Sequence, residues 1–250
     1  RRDGHQPIIH MQCGPTRFTV KSKNQAAQQL FRHRLICRET SFAAAGIDRS
    51  TPIRDVYAAL VADEQRNRQI AADVTHSVRA GRSPILLTER REHLDYFASR
   101  LRSVVNHLVI LHGGMSAKER RTALATLSQL PDSAERLILA TGRYIGEGFD
   151  DARLDTLFLA MPVAWKGTLV QYAGRLQRLH PDKTEVRIFD YVDRKVPVLA
   201  RMFDKRLRGY RSIGYTPDDM PFVEEISDPW NEDSLRGYYD ANLGDEDWIE

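Results

Sequence analysis

Residues 83–142 read SPILLTERREHLDYFASRLRSVVNHLVILHGGMSAKERRTALATLSQLPDSAERLILATG. Two periods alternate along this stretch. Pro84–Thr88 is an apolar run of strand length. Arg91–Val104 then carries Leu94, Phe97, Ala98 and Leu101 at helical spacing. His107–His112 is a second strand ending in Gly113-Gly114. Ser116–Leu127 is a second helix, opened by Ser116 with Glu119 three residues on, the pattern of a capping box. Arg136–Ala140 is a third strand ending in Thr141-Gly142. Downstream the alternation continues: a strand at Thr156–Met161 stopped by Pro162, a helix at Thr168–Leu179, a strand at Val186–Val192 and a helix at Pro197–Tyr210. Apolar strands alternating with amphipathic helices predict an α/β domain, a parallel sheet covered by helices on both faces. Ligands of such sheets gather beyond the carboxyl ends of the strands. Here those ends are Thr88-Glu89-Arg90, His112-Gly113-Gly114 and Thr141-Gly142-Arg143, all small, polar or basic.

Upstream, Pro7–Met11 and Arg34–Arg38 are short apolar runs of strand type, punctuated by Gly14-Pro15. Ser50-Thr51-Pro52 opens a helix, with Ile53, Val56, Tyr57, Leu60 and Val61 at helical spacing. It runs, with a break, to Ala80, where Gly81 stops it. The net charge of +3 hides an asymmetry. From Thr216 to Glu250 twelve acidic residues face one arginine, leaving 36 basic and 22 acidic residues in the first 215. A basic body suits a polyanionic partner, although a well-solvated surface has the same composition. The acidic tail has no clear period. It reads as an appendage that docks on the basic body, stays disordered or mimics nucleic-acid charge. No run of about 18 apolar residues marks a membrane span. Cys13 and Cys37 read as free thiols of a reducing cytoplasm, and no metal site is expected.

Two segments carry chemistry. Gln171-Tyr172-Ala173-Gly174-Arg175-Leu176-Gln177-Arg178 has the spacing Gln-x-x-Gly-Arg-x-x-Arg on a predicted helix. Arg175 and Arg178 then share a face, with Gln171 one turn earlier. A glycine inside a helix costs about 1 kcal/mol relative to alanine, so Gly174 suggests close approach of another backbone. Paired guanidiniums suit a triphosphate, and they equally suit the solvated face of a surface helix. The second segment runs from Ala140 to Asp150 directly after a strand. Thr141-Gly142 can offer a hydroxyl and a free amide to a phosphate, Gly146 and Gly148 permit a tight loop, and Asp150 can accept from a ribose hydroxyl. His180 reads as a cation closing the arginine helix, His112 as a loop-orienting group, and Trp165 as packing or base stacking.

The order of these segments resembles motifs V and VI of the superfamily 2 helicases and translocases. Ile85-Leu86-Leu87-Thr88-Glu89-Arg90 looks like motif IV. Leu111-His112-Gly113-Gly114-Met115, followed by Arg120 and Arg121, looks like the intervening His-Gly segment. The likeness covers residues 83–215 well and 5–45 weakly. It is closest to the DEAD/DEAH-box and restriction-subunit-like helicases of bacterial conflict systems, and departs from them at Val170-Gln171-Tyr172.

The resemblance implies a RecA-like C-terminal motor domain at residues 46–215, a segment at 1–45 linking from the first motor domain, and the acidic tail at 216–250. It implies arginine fingers at Arg175 and Arg178, with Gln171 toward the γ-phosphate. Gly146, Gly148 and Asp150 would meet the nucleotide. Thr88, Arg90, Gly113, Thr141 and Gly142 would meet the backbone of DNA, or of RNA. ATP and Mg2+ would be held mainly by an N-terminal RecA-like domain of the same protein. No Gly-x-x-x-x-Gly-Lys-Ser/Thr phosphate loop is present, and Ala62-Asp63-Glu64-Gln65, which looks like a magnesium-binding motif, falls in a helical pattern. The chain opens Arg1-Arg2-Asp3-Gly4 and reads as part of a longer protein that alone would not hydrolyse ATP. The rival expectations are a non-catalytic helicase-like binding module and an α/β nuclease using Asp150-Asp151.

Overall fold

A computed structural model describes residues 11–12, 14, 31–43, 46–47, 50–142, 151–163 and 166–218. Its strands are β1 (Arg32–Glu39), β2 (Pro84–Thr88), β3 (Leu108–Leu111), β4 (Leu137–Thr141), β5 (Thr156–Leu159), β6 (Glu185–Val192) and β7 (Thr216–Pro217). They form one parallel sheet in the order β3-β4-β2-β5-β6-β1-β7. The helices are α1 (Ile53–Ala62), α2 (Glu64–Arg79), α3 (Arg91–Leu101), α4 (Ala117–Gln129), α5 (Lys166–Leu176) and α6 (Pro197–Ser212). The sheet is thus parallel with helices on both faces, as the alternation predicts.

The strand period of two divides the core. Ile85 and Leu87 point to one face, where Leu127 of α4, Leu169 and Leu176 of α5, and Tyr210 of α6 cover them. Leu86 points to the other, under Ile70 and Val74 of α2 and Leu94 and Phe97 of α3. Burial on both faces explains why β2 is apolar from Pro84 to Leu87 instead of alternating with polar residues. A third cluster closes part of the carboxyl edge. Ile53, Val56 and Leu60 of α1 pack on Phe42, Met161, Val196, Leu199 and Met202, residues that follow β1, β5 and β6. The carboxyl ends of β3, β4 and β2 lie outside that cluster.

Several local expectations hold at residue level. Ser116 and Glu119 exchange both hydrogen bonds of a capping box, and Gly81 stops α2 with φ +73°. The break in the upstream helix falls at Asp63, whose carboxylate accepts from the Arg66 amide at 2.6 Å. Asp63 is therefore a helix cap at a helix–helix junction, not the strand-end acid of a magnesium motif.

Three details differ from expectation. Arg32–Glu39, inside the segment expected to precede the domain, pairs with β6 over eight residues and lies within the sheet, with Leu35 fully buried. Helix α5 ends at Leu176, three residues early. The tail segment begins in order, as β7 beside β1, and the Asp218 amide donates to the Leu35 carbonyl. Residues 219–250 lie outside the described residues, as does most of the Pro7–Met11 run; Met11 is in a helical turn.

Candidate functional site

The register sets the site. Thr88 and Thr141 are paired neighbours at the carboxyl ends of β2 and β4, and Leu111 pairs with Ala140. Thr88, Arg90, Gly113, Thr141 and Gly142 therefore fall along one stretch of that edge, Thr88 and Gly142 being buried. Their chemistry differs from a row of phosphate donors. Thr88 is buried, and its hydroxyl lies 3.0 Å from His93 Nδ1. His93 Nε2 lies 2.8 Å from Asn67 Oδ1, while Asn67 Nδ2 donates to the Val61 carbonyl at 2.8 Å. The amide oxygen of Asn67 can only accept, so His93 carries its proton on Nε2 and Nδ1 accepts from Thr88. The Thr88 hydroxyl thus points inward and accepts from the Arg90 amide at 3.4 Å. Burial, then the nearby Arg66 charge, pushes the His93 imidazole down to about 3, so it stays neutral.

Gly142 is a point of close approach. A β-carbon there would overlap the Tyr172 hydroxyl and the Glu89 carboxylate. The Tyr172 hydroxyl lies 3.5 Å from Glu89 Oε1, and burial pushes the Glu89 carboxyl up. Helix α5 therefore touches this stretch of edge through Tyr172. Gly113, by contrast, has open space around its β position. His112 orders its own loop by accepting from the Gly114 amide at 3.1 Å, and its Nε2 meets Arg91.

Tyr172, Ala173 and Leu176 are buried against the sheet, whereas Gln171 is exposed and Gly174 and Arg175 are half-buried on the other side of α5. Because the helix ends at Leu176, Arg178 stands in the turn that follows, exposed. Among the described residues nothing outside α5 lies within 4 Å of the β position of Gly174, where a close approach is expected. The cation closing the helix is Lys183, whose Nζ donates to the carbonyls of Leu176 at 3.0 Å and Arg178 at 2.8 Å. His180, expected in that role, lies 3.6 Å from Asp132. Burial pushes the Lys183 amine down to about 8. Arg143, Gly146, Gly148, Asp150 and Trp165 lie outside the described residues. Asp151 is held by Arg153 at 2.9 and 3.1 Å.

A buried network beside the edge escaped sequence reading. Arg66 Nε lies 2.9 Å from Asp193, both side chains being 1% exposed. Arg66 also donates to the Ala160 carbonyl at 2.7 Å, and Thr40 donates to Asp193 at 2.5 Å. This ties the turns after β1, β5 and β6 to α2. The partners are far apart in sequence, so no local spacing signals them. Among the described residues no helix is long and apolar enough to cross a membrane.

No protein-family model matches the chain. It is 35% identical over 96 residues to the uncharacterised protein 108L of Invertebrate iridescent virus 3, a match covering 38% of this chain and 88% of that protein. The chain belongs to the family of protein 108L. Protein 161L of Invertebrate iridescent virus 6, which bears a provisional helicase name, is 28% identical over 160 residues, covering 61% of this chain and 34% of that protein. T4 UvsW superposes with TM-score 0.58 at 15% identity, covering 75% of this chain and 41% of that one. The type ISP restriction-modification enzyme LlaBIII bound to DNA gives 0.56 at 16%, covering 82% and 15%. This relative of 108L thus has the RecA-like fold of superfamily 2 helicase C-terminal domains. It spans about a third of the length of 161L and two-fifths of UvsW.

Proposed function

We propose that this chain is the second motor domain of an ATP-dependent DNA helicase or translocase, with RNA as the other candidate strand. Arg175 and Arg178 act as arginine fingers and Gln171 approaches the γ-phosphate. The observation that carries this reading is the division of α5. Its inner side is packed apolar, while its outer side and the turn beyond present an amide, an unfilled glycine position and two guanidiniums. Such a face suits a polyphosphate held by another domain, because guanidiniums stabilise charge developing on phosphoryl oxygens. This chain has no phosphate loop, so ATP and Mg2+ are assigned mainly to an N-terminal motor domain of a longer cytoplasmic protein. Gly146, Gly148 and Asp150 serve the nucleotide.

The strand backbone is assigned to the open carboxyl edge at Thr141, Gly142, Arg90 and Gly113. Thr88 serves there by holding the turn, since its hydroxyl is engaged with His93. Alternating closure and opening of the two domains would move the strand.

The test is nucleic-acid-stimulated ATP hydrolysis by the longer protein. Arg178→Ala is expected to lower turnover by about 10³ to 10⁵ with an unchanged melting temperature, because the side chain is exposed. Unchanged turnover, or a large loss of folding stability, would refute the assignment and favour a non-catalytic helicase-like binding module.

A further inference from the structure

Helix α6 is amphipathic in charge as well as in polarity. Leu199, Met202, Phe203, Arg206 and Tyr210 are buried beneath it. Its inward Arg206 is tied to Asp190 by two hydrogen bonds of 2.7 Å, and the Tyr210 hydroxyl donates to the same carboxylate at 2.7 Å. The outward side carries Arg201, Lys205, Arg208 and Arg211, interrupted by Asp204. At 1.5 Å per residue these cations form a stripe about 15 Å long.

The chain's own continuation has the opposite sign. From Asp219 to Glu250 there are eleven acidic residues and one arginine. Topology starts that continuation near the end of α6. Helix α6 crosses from the carboxyl end of β6 to the start of β7, the Tyr215 amide returns to the Tyr210 carbonyl at 3.0 Å, and β7 then runs parallel to β1. The chain leaves β7 antiparallel to α6, close to Arg211. The first acid, Asp218, is already bonded to Arg34 of β1 at 2.7 Å. Another exposed basic group among the described residues, Lys118 and Arg121 of α4, packs at the β3 end of the sheet. That is six strand spacings away, about 29 Å.

We propose that the basic face of α6 is the docking surface for the acidic segment 219–250. Tethering makes the contact intramolecular, at an effective concentration of roughly millimolar. An extended chain needs about five residues to run the length of the stripe. The contact holds by charge, so it weakens as salt shortens the Debye length from about 14 Å near 0.05 M to about 4 Å near 0.5 M.

The test is zero-length carbodiimide cross-linking of the full chain, read by peptide mapping. Lys205 is the lysine on the stripe. Its cross-links to carboxylates of 219–250 should dominate at low salt and fall about tenfold at high salt. They should fall similarly in Arg201→Gln/Arg208→Gln/Arg211→Gln and in Glu224→Gln/Glu225→Gln/Asp228→Asn. Neither variant touches the buried Arg206–Asp190 pair, and an unchanged melting temperature verifies that each stays folded. Equal yields at Lys118, Lys195 and Lys205, or a yield insensitive to salt and to both variants, would overturn the proposal. So would a single-stranded DNA probe that binds α6 with equal affinity in the wild type and the neutralised-tail variant.

Discussion

His93 makes stability depend on pH through one identifiable group. Its imidazole is fully buried between Thr88 and Asn67 and titrates near 3 in the folded chain, against 6.5 when exposed. Because the folded value is the lower one, protons bind the unfolded chain preferentially. The stabilisation is complete above pH 6.5 and declines as pH falls toward 3. From pH 7.5 to pH 5 the two values give a loss of about 2 kcal/mol, or about 4–8 °C in melting temperature for a domain of this size. His33 and His112 are also shifted down by burial, so wild type alone cannot isolate His93. The comparison is with His93→Gln, in which the other histidines remain and cancel. At pH 7.5 the variant should be less stable, since it breaks two buried hydrogen bonds. At pH 5 the gap should shrink by the about 2 kcal/mol that only the wild type loses. Parallel stability–pH curves from urea denaturation would refute both the neutral assignment and the tautomer drawn from Asn67.

Two further substitutions test the edge. Arg66→Ala leaves the Asp193 carboxylate buried without its cation and should cost about 3–5 kcal/mol in urea denaturation, whereas Arg66→Met/Asp193→Leu together should recover most of it. Gly142→Ala forces a β-carbon onto Tyr172 and Glu89 and should cost about 1–3 kcal/mol; Tyr172→Phe, by removing the nearest atom, should restore part of the melting temperature.

The sheet was legible because the strands are short, apolar and separated by helices with strong caps. Ser116 and Glu119 announce α4 from four residues of sequence, and Pro84–Thr88 stands out because both of its faces are buried. Strand β1 was harder. RHRLICRE carries three arginines, a histidine and a glutamate in eight residues, because its neighbours β6 and β7 leave many of its side chains partly exposed. Long-range polar pairing left no local trace: Arg66 and Asp193 are 127 positions apart. The candidate contacts at Thr88 illustrate the same limit. Sequence places a hydroxyl at a strand end, but only His93, five residues on and one turn into α3, shows that the hydroxyl faces inward.

Gly142 and Gly174 look alike in sequence, each a glycine at a place where backbone or ligand could come near. The fold separates them. Gly142 is required from within, since Tyr172 and Glu89 occupy the space a β-carbon would take. Gly174 sits in α5 with no other described residue within 4 Å of its β position, where alanine would favour the helix by about 1 kcal/mol. Among the described residues no contact at that β position offsets that loss. In the proposed motor, a partner domain closing over a bound nucleotide beside Gln171 and Arg175 is the body that would call for glycine there. Tyr172 brings the inner side of the same helix against Gly142, while Arg175 lies on its outer side and Arg178 in the turn beyond.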